Sequence, residues 1–177
     1  MTGGQIDQHG PEPRTSRPRM PPIYGVPTTM EGTLPWSHAV ERLERATNYW
    51  LATTRPDGRP HVTPVWGAWV DGALYFDGLP TTLWGRNIAI DSRIAVHLES
   101  GDDVVIIEGV VEDVTPDAAL GDRIVATYTT KYDYPIPKPA EDGIFCLRPS
   151  TARAWTVRHL RDSDENWADA TRWDFYC

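Results

Sequence analysis

The sequence predicts a mainly β domain: six or seven antiparallel strands closed into a small barrel, with a few flanking helices. Three observations carry this. Short β-prone stretches are separated by compact turn signals at Pro56-Asp57-Gly58, Asp71-Gly72 and Gly101-Asp102, which favour tight reversals between antiparallel neighbours. Helical periodicity appears in only a few segments, too few for an alternating parallel fold. The 177-residue chain suits one domain with a real core, since domains commonly run to roughly 100–150 residues.

Residues 1–33 are rich in Pro, Gly, Thr and Arg and lack apolar periodicity. Such a composition buries too little surface to offset ordering entropy, so this segment is expected to be a flexible arm available to wrap a partner subunit, with residues 34–177 forming the domain. Trp36, Ala39, Val40, Leu43 and Ala46 recur at helical spacing, with Thr33 placed as N-cap and Pro35 in the first turn. Tyr49 to Thr54 and Arg59 to Val70 then form a hairpin. Pro60 and Pro64 donate no ladder hydrogen bond, so the second strand is bulged or lies at an edge. Ala73 to Asp77 is a third strand, and the loop Gly78 to Thr81 leads into a short helix, about Thr82 to Ile90. Arg93 to Glu99 and Asp103 to Thr115 follow as strands. Pro116 opens a helix to about Thr130, Tyr132 to Asp142 is a loop, Ile144 to Leu147 and Ala152 to Val157 are the last strand pair, and an acidic, then aromatic, tail begins at Arg158.

The net charge is −8, which argues against a nucleic-acid partner while leaving room for a local phosphate pocket. Cys146 and Cys177 belong to no C-x-x-C pair and to no set with metal-ligand spacing, so no metal site is expected and both read as reduced thiols. No apolar run reaches the ~20 residues of a membrane helix, and no signal-peptide core opens the chain. A cytoplasmic protein without a membrane partner is expected.

The stretch Leu51-Ala52-Thr53-Thr54-Arg55-Pro56-Asp57-Gly58-Arg59-Pro60-His61-Val62-Thr63-Pro64-Val65-Trp66 resembles the opening hairpin of the pyridoxamine-phosphate-oxidase-like split barrels, which hold flavins and deazaflavins. Trp84-Gly85-Arg86-Asn87-Ile88, Asp91 to Leu98 and Glu108-Gly109 follow in that family's order, and Thr171-Arg172-Trp173-Asp174-Phe175 is similar to a tail found in one branch. The resemblance implies a split β-barrel, a homodimer and a cofactor cleft between the two copies. It points to His61, Thr63, Pro64, Val65 and Trp66, then Phe76 and Asp77, then Thr82, Trp84, Arg86 and Asn87 as cofactor-binding residues. Oxidases of vitamin B6 carry basic residues where this chain has Thr63, Ala68, Leu83 and Trp84, so pyridoxamine phosphate is not the expected substrate. Arg86, the hydroxyls of Thr81 and Thr82 and the helix-start amides remain as a phosphate grip.

Two roles suit Arg86, a phosphate contact or a solvated helix arginine. Two likewise suit Trp66, Trp69 and Trp84, stacking on a planar cofactor or packing in the core. No catalytic triad, zinc-protease motif, P-loop or dinucleotide fingerprint is present, and no catalytic residue is assigned. That fits a flavoprotein, where the cofactor carries the hydride chemistry. The expected function is a flavin- or deazaflavin-dependent oxidoreductase acting on a small organic molecule. FMN is the expected cofactor and coenzyme F-420 the alternative, because the basic lining beside the short helix is sparse for a polyglutamate tail. The competing functions are a flavin carrier without turnover and a haem-binding split barrel.

Overall fold

A computed structural model describes residues 12–134, 136, 138, 139, 143–157 and 167–175. Nine strands occur among them: β1 (Arg14–Ser16), β2 (Tyr49–Thr54), β3 (Pro60–Val65), β4 (Ala68–Val70), β5 (Ala73–Phe76), β6 (Arg93–His97), β7 (Asp103–Val114), β8 (Ile144–Thr156) and β9 (Thr171–Asp174). Three helices interrupt them: α1 (Trp36–Arg45), α2 (Leu83–Ile90) and α3 (Ala118–Tyr132). The chain is a mainly antiparallel split β-barrel with flanking helices. Hydrogen-bonded neighbours run β1-β9-β8-β7-β6-β2-β3, while β5 pairs with both β4 and β8. Since β3 continues into β4 across Trp66-Gly67, the wall returns through β4 and β5 to β8.

The count exceeds the expected six or seven for two reasons. The long second strand breaks at Trp66-Gly67 into β3 and β4. The short strands β1 and β9 pair with each other, Thr15 opposite Trp173. In the other direction, the expected last strand pair is one continuous strand, β8. One edge of β8 pairs with β7 along its length; the other is shared between β5, at Phe145 to Leu147, and β9, at Thr151 to Ala154.

A bulge marks the point where β8 changes partners. The β7–β8 register shifts between Glu108 and Gly109, opposite Pro149, which has no N–H to give. Ser150 Oγ donates to the Glu108 carbonyl (3.1 Å) and the Phe175 amide donates to the Ser150 carbonyl (3.0 Å). Gly109 is required here, because a Cβ would lie 2.1 Å from the Arg148 carbonyl oxygen. The expected turn at Asp71-Gly72 forms with both residues at positive φ, 50° and 76°, the geometry of a two-residue hairpin.

The barrel interior is one apolar surface drawn from alternate residues. Leu51, Val96, Ile107, Ala152 and Trp173 form a cross-strand row on β2, β6, β7, β8 and β9, all fully buried. Each buried Leu or Ile contributes about 1.5–3 kcal/mol. Helix α1 adds Ala39, Val40 and Leu43 to this core and is tied to β7 by Arg42 and His38, which reach the Asp103 carboxylate at 2.6 and 3.1 Å. Thr33 does not cap α1; its hydroxyl donates to the Met30 carbonyl instead. Asp117 caps α3, accepting from the Leu120 amide at 2.8 Å. A second apolar cluster, with Val70, Tyr75, Ile124, Tyr128 and Cys146, packs α3 on β4, β5 and β8.

Residues 12–33, which show no apolar pattern, are held by polar bonds. Arg17 donates to the carbonyls of Thr29 (2.8 Å), Ala168 (2.7 Å), Ala170 (2.9 Å) and Glu31. Cys177, Asp142 and the stretch 158–166 lie outside the described residues. No helix among the described residues is long and apolar enough to cross a membrane.

Candidate functional site

Because strand side chains alternate with period two, the residues between those of the buried row face outward. Register places them in two further rows. One runs Val62, Ala52, Ala95, Glu108, Thr151, Asp174, Arg14; the other runs Pro64, Trp50, His97, Ile106, Arg153, Arg172, Ser16. Both cross seven strands, so β3 and β1 belong to one continuous outer face. A shallow groove of about 520 Å³ lies over its β2–β6–β7 part, lined by Ala52, Thr54, Pro60, Arg93, Ala95, Glu108 and Val110. A second groove of about 620 Å³ lies over the β8–β9–β1 part.

The residues expected to hold a cofactor divide between surface and interior. His61, Thr63 and Val65 are half-buried on one side of β3, Pro64 is exposed on the other, and Trp66 is 48% exposed at the break after β3. In the described sheet β3 pairs only with β2, leaving its second edge open. Asp77, Thr82 and Arg86 reach the surface. Phe76, Trp84 and Asn87 do not: Phe76 is fully buried, Trp84 is 8% exposed and Asn87 1%. Trp84 packs edge-on against Phe76 and Phe145 at 5.7 and 5.2 Å between centroids. These three side chains set the positions of β5 and α2 from beneath.

A polar chain joins α2 to the hairpin. The Asn87 amide donates to Thr53 Oγ1 (2.9 Å), and that oxygen lies 3.3 Å from His61 Nδ1. Asn87 Oδ1 is buried without a partner, a cost of about 1–3 kcal/mol that the surrounding fold carries. Thr82 caps α2, its hydroxyl accepting from the Gly85 amide (3.1 Å). Arg86 lies along the surface of the first turn and donates to the Thr81 carbonyl.

Sequence reasoning missed the support under Trp66. Tyr128 donates to the Trp66 carbonyl (2.9 Å) and accepts from the Asp77 amide (3.2 Å). Tyr132 Oη lies 2.9 Å from the Gly67 amide and 3.0 Å from its carbonyl, and its ring stacks on Trp66 at 4.7 Å. Gly67 admits no side chain, since a Cβ would sit 2.9 Å from Leu74 Cδ1 and 3.1 Å from the Tyr75 carbonyl oxygen. Lys131 occupies the last turn of α3, with Nζ 3.0 Å from Tyr49 Oη and 3.3 Å from the Gly67 carbonyl oxygen. Burial lowers its pKa to about 8. The helical spacing of Tyr128, Lys131 and Tyr132 is visible in the sequence, but the strand break they hold is not.

The donors of the hairpin and of the α2 start fit a flavin. Ala52 and Ala95 leave a flat, small-residue bed, the open edge of β3 offers backbone groups to a ring edge, and Thr81, Thr82 and Arg86 gather hydroxyl and guanidinium donors suited to phosphate. Among the carboxylates lining the groove, Glu108 is bound by Arg153 at 2.6 Å, which leaves it poorly placed as a base. Fold and register together define a split barrel with one continuous outer sheet face. The sequence profile of pyridoxamine 5'-phosphate oxidase matches residues 36–156, and the chain belongs to that family.

No curated protein matches the chain. Among solved structures, it is similar to an F420 reductase, with 31% identity over 63% of this chain and 93% of that one, at a TM-score of 0.49. A conserved hypothetical protein from Mycobacterium tuberculosis shows 22% identity over 76% and 96%, at 0.59. A FAD-binding protein from Mesorhizobium loti shows 19% over 78% and 93%, at 0.54. A haem-binding protein from Mycobacterium smegmatis shows 24% over 75% and 61%, at 0.50.

Proposed function

We propose that the chain is a flavin-dependent oxidoreductase that delivers a hydride to a small organic molecule in a cleft between two copies. The observation that carries this reading is the open edge of β3 together with the hydroxyl and guanidinium donors at the start of α2, which Asn87 ties to the same hairpin through Thr53. FMN, with one phosphate, matches the modest donor set of Thr81, Thr82 and Arg86. When bound, the cofactor supplies the hydride chemistry. The chain's own residues hold and orient it: Arg86 exchanges the Thr81 carbonyl for a phosphate oxygen, and the Trp66–Tyr132 stack, propped by Tyr128, fixes the far end of the open β3 edge.

The apolar part of the outer face supports the second copy. Val62, Trp66, Ile90 and Val110 are each exposed by 45% or more, and covering such a patch on a small protein favours self-association. Coenzyme F-420 remains the second reading of the cofactor. It is favoured by the arginine-lined groove on the same face, which makes that face far less sparse in positive charge than the surroundings of α2.

The test is titration of the apo protein with FMN and with coenzyme F-420, together with the absorption spectrum and mass of any copurifying small molecule. Micromolar FMN binding supports the reading. Deazaflavin binding at least tenfold tighter, about 1.4 kcal/mol, moves the cofactor to F-420, and binding of neither removes the proposal.

A further inference from the structure

The second groove of the outer face is built from five arginines. Arg14 comes from β1, Arg17 and Arg19 from the segment after it, Arg153 from β8 and Arg172 from β9. None of them belongs to the phosphate grip of the FMN reading. Arg153 and Arg172 stand directly opposite each other across the β8–β9 ladder, and like charges so placed repel. Partial relief comes from two carboxylates: Glu108 accepts from Arg153 at 2.6 Å, and Asp174 accepts from Arg172 Nε at 2.9 and 3.1 Å. Arg17 spends its donors on backbone carbonyls, which carry no net charge. The side chains of Arg14 and Arg19 are exposed and make no hydrogen bond or ion pair among the described residues, although Arg14 is near enough to Asp174 to help lower its pKa. Asp169 acts in turn on Arg17, so five guanidinium charges against Asp174, Glu108 and Asp169 leave a surplus of two, on a chain whose net charge is −8.

We propose that this groove is a second binding site, taking a nucleotide-sized phosphate ester with two or more negative charges. Its volume of about 620 Å³ falls within the roughly 300–1,000 Å³ of small-molecule sites. Planar guanidiniums engage phosphate oxygens in pairs, and half-buried Trp155, which leans on Trp167 at 5.4 Å between centroids, adds an apolar wall to the lining. A long nucleic acid is disfavoured, because the acidic remainder of the surface repels it. The site is independent of Arg86 and of the cofactor assigned to the neighbouring groove.

The test is calorimetric titration of the full chain, at low salt, with ATP, tripolyphosphate and triglutamate. Binding of ATP and tripolyphosphate in the micromolar range is expected, weakening with added salt as ion screening requires. The double variant R14A/R19A should raise the ATP dissociation constant at least tenfold while melting like the parent, and R14K/R19K should recover most of the loss. Glu108→Gln releases Arg153 and should tighten ATP binding about threefold. ATP affinity that is absent from the parent chain, or unchanged in R14A/R19A, overturns the proposal. Triglutamate binding as tightly as ATP overturns the phosphate assignment, and an unchanged or weaker complex with Glu108→Gln overturns the charge argument. None of these outcomes depends on whether FMN binds beside α2.

Discussion

The two halves of the outer face share one sheet and one register but present opposite chemistry. Over β3, β2 and β6 the outward rows read Val62, Ala52, Ala95 and Pro64, Trp50, His97; over β8, β9 and β1 they read Thr151, Asp174, Arg14 and Arg153, Arg172, Ser16. The first half is flat and apolar, suited to a planar ring or another copy of the chain. The second is cationic and furrowed, suited to an anion. The seam between them is β7, where Glu108 faces the apolar groove while its carboxylate is bound to Arg153. A β-sheet makes such a division straightforward, since each strand contributes its own side chains to the common face and adjacent strands need not share a chemistry.

The largest expected effect comes from breaking the seam itself. Gly109→Ala places a methyl group against the Arg148 carbonyl, a backbone atom with little freedom to withdraw. It should cost about 3 kcal/mol of stability, read from urea denaturation. A variant as stable as the parent would show that the β7–β8 bulge does not fix the relation of the two halves.

Sharpening the comparison at its apolar end, Arg86→Ala should weaken FMN binding by about 1.5–3 kcal/mol if the guanidinium meets the phosphate. ATP binding in the arginine groove should not change. Equal FMN affinity in the folded variant returns Arg86 to the role of a solvated helix residue. Ala52→Glu sets a charge in the centre of the flat half and should weaken self-association at least tenfold, about 1.4 kcal/mol, by sedimentation at micromolar concentration. A parent chain that is monomeric under those conditions removes the interface altogether.

The smallest effect concerns the prop beneath Trp66. Burial lowers the Lys131 pKa to about 8 from 10.5, so between those values the unfolded chain holds more protons than the folded one and stability rises with pH. Lys131 is partly in water, which reduces the gain to about 1 kcal/mol. Burial raises the pKa of Tyr49 and Tyr128, and their contribution is lost above pH 10, so the useful window is pH 8 to 9.5. Thermal melting in that range should climb for the parent and stay level for Lys131→Met. Parallel curves would assign the climb to other groups.

By itself, the sequence determined what depends on neighbours along the chain. The Asp71-Gly72 reversal, the Thr82 cap, the α1 stripe of Ala39, Val40 and Leu43 and the edge character of Pro60 and Pro64 follow from backbone preference and periodicity, which act over a few residues. Family resemblance added the barrel and its flavin-binding class. Tertiary structure decided the rest. Trp84 packs with Phe76 and Phe145 inside the barrel because β5 and β8 pair, and no local pattern separates that from an exposed ring. The break after β3, at Trp66-Gly67, has no local mark, and its support comes from Tyr128 and Tyr132, over sixty residues away. The arginine groove was hidden most completely: Arg14, Arg153 and Arg172 share one face only because β1 pairs with β9 and β9 with β8. Strand pairing distant in sequence is set by burial of the opposite face, where Trp173 and Ala152 meet the core, and the charges on the outer face are carried into register by that packing.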